Sequence, residues 1–182
     1  MNPHLRSLLD DLVAVRAAAE AFRDGLSAEQ LAWRPESGAW GIADCFEHLR
    51  KMEKAYARGL ADAVERAEPG EAPFRPRWLA RTFIALNGPE PKVKLPAPPA
   101  VRPKQERPAS ADAIDRFLAQ QEQTVGLVRA ADGRDLNTGR FASPFSRLLR
   151  FSLGEGLTLL VRHEQRHLGQ AHRIVERPDF PR

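Results

Sequence analysis

Apolar side chains recur at three- and four-residue intervals in four stretches of the chain, the 3.6-residue period of a helix that buries one face. Leu5, Leu8, Leu9, Leu12, Val15, Ala19 and Phe22 form the first stripe. It predicts a helix from about Pro3 to Asp24, with Pro3 in the first turn and Gly25 as the stop. Ile42, Cys45, Leu49, Met52, Tyr56 and Leu60 predict a second, from about Gly41 to Glu68, closed by Pro69 and Gly70. Ile114, Phe117, Leu118, Gln121, Val125 and Val128 mark a third. It opens at Ser110 as N-cap, with Asp112 in the first turn, and stops at Asp132-Gly133. Leu153, Leu157, Leu160, Val161, Leu168 and Ile174 mark the last, from near Ser152 to about Glu176, ahead of Pro178. No stretch sustains the period-two alternation of a half-buried strand, so no sheet is expected.

Between the second and third stripes the pattern changes character. Ten of the fifteen prolines fall within residues 69–108. Proline lacks the amide N–H and clashes with the preceding turn, so this segment cannot be one long helix. It is also too long for a hairpin, and long enough to travel the length of a helix. The expectation is therefore an all-α fold: a four-helix bundle with a long proline-rich crossover between helices 2 and 3. The third helix then runs parallel to the second. A short helix around Arg77–Leu86 is expected inside the connection, which should pack over the bundle. The chain reads as one domain, residues 1–182, with residues 69–109 as the crossover.

Composition narrows the class. The single cysteine, Cys45, excludes an internal disulfide framework and a Cys-rich zinc finger, and reads as a small buried hydrophobe. No apolar run reaches the ~20 residues of a membrane span. Asp10 and Asp11 interrupt the place where a signal peptide would be apolar, so a cytoplasmic protein without membrane partners is expected. The net charge of +4 is local in origin: residues 75–107 carry eight basic and two acidic side chains. That stretch reads either as a solvated loop or as a lid that draws an anionic substrate. It has few aromatics and no docking helix, which speaks against nucleic acid.

The histidines carry the chemistry. His163 and His167 are four apart on the last helix, about 40° apart around its axis, so both imidazoles can reach one ion. The string His163-Glu164-Gln165-Arg166-His167 matches H-E-x-x-H. A zinc protease is nevertheless disfavoured. Gln170 and Arg173 occupy the positions where the longer protease motif needs glycine and histidine, and the chain offers no downstream glutamate on a separate helix. Two histidines leave an ion short of ligands, so a third must come from elsewhere. His172 points away from the pair and His4 lies near a terminus. His48, on the second helix, can face the interior. Glu164 lies about 100° from His163 around the axis and reads either as a base beside an ion or as a residue in a supporting or solvent-facing role. Arg166 could bridge helices or meet an anionic substrate. Trp33 and Trp40 read as residues that pack the link between the first two helices onto the bundle.

Two strings carry a family resemblance. One runs from Leu26-Ser27-Ala28-Glu29-Gln30-Leu31-Ala32-Trp33-Arg34-Pro35 through Trp40-Gly41-Ile42-Ala43-Asp44 to Glu47-His48-Leu49. The other is His163-Glu164-Gln165-Arg166-His167-Leu168-Gly169-Gln170. Together they resemble the DinB-like family of candidate metalloenzymes, over nearly the whole chain. The resemblance implies a bundle with a crossover, often dimeric, and a divalent ion, Zn²⁺ or Ni²⁺, held by His48, His163 and His167. It implies a metal-dependent enzyme acting on a small molecule, in which the ion activates a low-molecular-weight thiol (S-transferase type) or water (hydrolase type). The alternative is a non-catalytic bundle that binds the ion for structure. Gly41 departs from the family's usual Ser after Trp, a change at a helix cap rather than at the site.

Overall fold

The computed structural model describes residues 1–36, 39–89, 96–104 and 106–182. It is mostly helical. Helices α1 (Pro3–Gly25), α3 (Ile42–Arg66), α5 (Ala113–Ala130) and α6 (Leu153–Val175) are long; α2 (Ala28–Ala32) and α4 (Trp78–Leu86) are short. A single 3₁₀ turn spans Pro99–Val101. Both α3 and α1 pack against α5 and α6, so each of the four long helices has two long neighbours. Among the described residues no helix is long and apolar enough to cross a membrane.

The four long helices lie where the apolar stripes predict them, within a few residues at each end. α6 begins at a complete capping box: the Ser152 hydroxyl accepts from Glu155 N at 3.3 Å and the Glu155 carboxylate accepts from Ser152 N at 2.8 Å. Arg77 donates to the same carboxylate at 2.6 Å, tying the start of α4 to the start of α6. The expected cap at Ser110 is displaced. Its hydroxyl donates to Asp112, its carbonyl accepts from Ala113 N at 2.9 Å, and the helix proper starts at Ala113.

The expectation of no sheet is corrected by a two-stranded antiparallel hairpin, β1 (Phe141–Ser143) with β2 (Ser146–Phe151). Its strands are too short and too irregular to show period-two alternation, and only Phe141, Ser143 and Phe151 are fully buried. The hairpin forms because Phe141 has a place to go. A Cβ on Gly156 of α6 would stand 2.6 Å from the Phe141 ring, and one on Gly59 of α3 2.8 Å from it. Two glycines on facing helices thus make the slot that the ring fills.

The interior has two apolar clusters. One gathers Leu5, Leu8 and Leu12 with Met52, Tyr56, Leu60, Val128 and Leu157. The other gathers Val15, Ala19 and Phe22 with Ile42, Phe46, Leu49, Ile114 and Phe117. On α3, α5 and α6 a layer of buried polar groups lies between them: Glu53, Gln121, Thr124 and Glu164. That layer sits at the height of the histidines.

Candidate metal centre

α3 supplies His48, and its start is fixed by Asp44. This buried carboxylate accepts from Gly41 N at 2.9 Å, from Arg34 at 2.6 and 2.8 Å, and from Ala109 N at 3.0 Å. One side chain therefore joins the helix start, the link that precedes it and the far end of the proline-rich connection. Gly41 has a steric reason to be glycine, since a Cβ there would lie 2.2 Å from the Trp33 carbonyl oxygen. The departure from serine follows from that close approach.

His48 on α3 meets His163 and His167, one turn apart on α6. Each offers a ring nitrogen within 4.8 Å of the others, and together they could hold a metal ion. All three are buried, His48 to 1% exposure and the other two to 6%. His48 Nδ1 donates to the Val101 carbonyl at 2.9 Å, and His167 Nδ1 donates to Gln170 Oε1 at 3.0 Å. With the proton on Nδ1, the lone pair of each ring lies on Nε2. His48 Nε2 stands 3.0 Å from His163 Nε2, a separation at which lone pairs repel unless a proton or cation lies between them. Neutral rings oriented by acceptors at the far nitrogen are the donor set that a divalent ion requires. The residues therefore fit a metal.

Electrostatics keep these rings neutral. Burial lowers His48 to a pKa of about 4, against the opposing bond to Val101. Burial and the neighbouring His48 and Arg166 lower His163 to about 3. The Asn87 backbone acts on His163 in the opposite sense, although Nδ1 makes no hydrogen bond of ordinary geometry. His167 is held well below the usual range by burial and by the other two histidines. Trp40 lies against the cluster, nearly parallel to His167 at 5.5 Å and tilted over His48 at 4.9 Å. It is part of the site as well as part of the link, whereas Trp33 packs edge-on against Phe180 at 5.5 Å.

Glu164 does not line the cavity beside the histidines; it is fully buried in the polar layer. Its Oε2 accepts from Gln121 Nε2 at 2.7 Å, while Thr124 donates to Glu53 Oε2 at 2.9 Å. Glu53 Oε1 and Glu164 Oε1 have no donor facing them. Burial raises the pKa of both carboxyls, and the charge of Glu164 raises that of Glu53 further. Cys45 is fully buried and its thiol is pushed up in pKa by burial, as expected of a core residue. His4 bonds Thr158 at 2.8 Å and His172 lies exposed against Phe22; neither joins the cluster.

The histidines open onto a cavity of about 1200 Å³. Sequence reasoning missed most of its wall. Along α6 and just past its end, Arg166, Gln170, Arg173 and Arg177, spaced four, three and four, flank the histidine pair; that spacing was the available signal. Met52, Tyr56 and Phe145 line another part. The basic side chains between Arg75 and Arg107 do not line it among the described residues, and Lys92, Lys94 and Glu90 lie outside those residues. Arg77 is committed to Glu155, and among the described residues the connection presents Phe83, Asn87, Pro89, Pro96, Ala97 and Pro98 to the cavity.

Comparison with known proteins gives one match. A family description, the DinB superfamily, fits residues 11–171, which includes all three histidines, Asp44 and the polar layer. No curated protein and no solved structure matches the chain. The chain belongs to the DinB superfamily.

Proposed function

We propose that this protein is a metal-dependent enzyme acting on a small molecule, with His48, His163 and His167 as the ligands of one divalent ion, Zn²⁺ or Ni²⁺. The observation that carries this reading is the convergence of three neutral, buried imidazoles, two of them anchored at the far nitrogen, on the wall of a large cavity. Among the described residues no fourth His, Cys, Asp or Glu completes the cluster, which favours an open catalytic site over a closed structural one. The chemistry such an ion supplies is Lewis acidity, which lowers the pKa of a low-molecular-weight thiol or a water.

The chain's own residues do the rest. Val101 and Gln170 hold the tautomers of His48 and His167. Trp40 covers two of the rings and keeps bulk water from them. Glu164 acts from the core: with Gln121 and Glu53 it fixes the rotation of α6, and through it the aim of His163 and His167. In this reading the four long helices form a bundle, and the connection between α3 and α5 is the crossover that carries Val101 to His48.

The test is metal analysis of tag-free protein. About one divalent ion per chain is expected. Loading below about 0.2 ion per chain, or loading unchanged in His48→Ala, would overturn the site. A panel of thiols with electrophiles, set against esters and amides, then separates thiol transfer from hydrolysis. An unchanged rate in His163→Ala would overturn both.

A further inference from the structure

The wall of the cavity is chemically divided along its length. His48 on α3 lies beside His163 and His167 on α6, while further along α3 Leu60 packs at Gly156, nearer the start of α6. The two helices are thus antiparallel, and Met52 and Tyr56 lie on the Leu159 side of the histidines. The hairpin and α4 close that side with aromatic rings: Phe145 stands 5.9 Å from Tyr56, and Phe83 stands 5.7 Å from Phe151. In the other direction the cavity wall carries Arg166, one residue before His167, then Gln170 and Arg173 on the last turns of α6 and Arg177 just past its end. From Leu159 to Arg173 the helix rises about 21 Å, with the histidines between.

Two of those arginines lack a counter-charge. Arg177 is paired with Asp179 at 2.9 Å and also feels Glu36, the acidic residue in the cavity wall among the described residues. Arg166 makes one bond, from Nη1 to the Leu86 carbonyl at 3.0 Å, and no ion pair with any described acid. Arg173 makes neither among the described residues. Seven residues apart on α6, the two side chains share one face of the helix and line the same cavity, where their like charges repel. Like charges kept together beside an open cavity are stabilised by an anion that enters between them.

We propose that the cavity takes a two-ended small molecule, with a carboxylate held by Arg166 and Arg173 and an apolar, ring-sized body lodged among Met52, Tyr56, Phe83 and Phe145. This names the substrate class for the site described above. It rests on that reading only in taking the cavity as the place where substrate binds.

The probe is 4-phenylbutanoate, set against 4-phenylbutanamide, which lacks the charge, and butanoate, which lacks the ring. Binding is followed by NMR titration of chelator-treated protein and of His163→Ala, so that metal coordination cannot supply the affinity. The acid should bind at least tenfold tighter than the amide, the scale of one charge-assisted hydrogen bond. Arg173→Gln should erase that preference; this side chain is exposed, so the fold is not at risk. Phe83→Ala should weaken 4-phenylbutanoate and leave butanoate unchanged. Equal binding of acid and amide, or a preference that survives Arg173→Gln, would overturn the proposal. Because His163→Ala is expected to keep the preference, a protein that holds no metal can still satisfy this test, and one that holds metal can still fail it.

Discussion

Replacing Asp44 with alanine removes one acceptor from three segments at once. Arg34 loses bonds of 2.6 and 2.8 Å, Gly41 N one of 2.9 Å and Ala109 N one of 3.0 Å. The carboxylate is 1% exposed and the arginine side chain 12%, so neither end of the pair is compensated by bulk water. Breaking a buried pair by deleting one partner costs about 3–5 kcal/mol, chiefly because the other charge stays buried. Arg34 keeps carbonyl acceptors at Lys104 and Arg107, which moderates the loss, while the two backbone donors are left facing a void. A net cost of about 3–4 kcal/mol is therefore expected. At 2–4 °C per kcal/mol for a chain of this size, Tm should fall by roughly 6–16 °C. The assay is thermal and urea unfolding followed at 222 nm, with chelator present so that metal linkage does not contribute. A double-mutant cycle with Arg34→Gln should show that the two losses do not add, because either one already breaks the pair. A loss below about 1 kcal/mol, the scale of an exposed ion pair, would refute the argument that Asp44 clamps the link and the connection to α3.

Four further outcomes follow from the same structure. Gly41→Ser, which would improve an open N-cap, should destabilise by about 1–3 kcal/mol because its Cβ meets the Trp33 carbonyl at 2.2 Å; unfolding curves with unchanged or raised stability would contradict this. Metal-free protein should lose stability as pH falls from about 6.5 towards 3, since the unfolded chain binds protons that His48 and His163, at about 4 and 3 in the fold, refuse. His48→Ala should flatten that slope in urea titrations across pH. Carboxyls raised in pKa contribute stability below their unfolded value of about 4.5 and lose it as pH rises, so Glu53→Gln should reduce the fall in stability on the alkaline side. Because the rings are already neutral at pH 6, where a zinc-bound water still keeps most of its protons, zinc binding at that pH should release few protons, and calorimetry in buffers of different ionisation enthalpy should give nearly the same heat.

Much of the helical frame was legible from periodicity, because a helix that buries one face must repeat every 3.6 residues whatever it packs against. The pairing of His163 with His167 was legible for the same reason: i and i+4 on one helix share a face before any tertiary contact forms. The short helix in the connection was readable from Trp78, Leu79, Phe83 and Ile84. The hairpin was not, because its strands pair through Phe141 filling a slot made by glycines on two other helices. Nor was Asp44. Its sequence position suits an ordinary capping residue, and only the return of Ala109 and the approach of Arg34 turn it into a junction.

The sequence by itself determined where the long helices run, that residues 69–108 break the helical pattern, and that two histidines share one turn of α6. Each is a property of local stereochemistry or spacing. The tertiary structure alone decided that His48 closes on that pair, that Glu164 turns into the core against Gln121 and Glu53, and that Arg166 and Arg173 are left facing a cavity. These depend on the rotation of α3 against α6. That rotation is set by packing and buried polar bonds between residues more than forty positions apart, which no local pattern records.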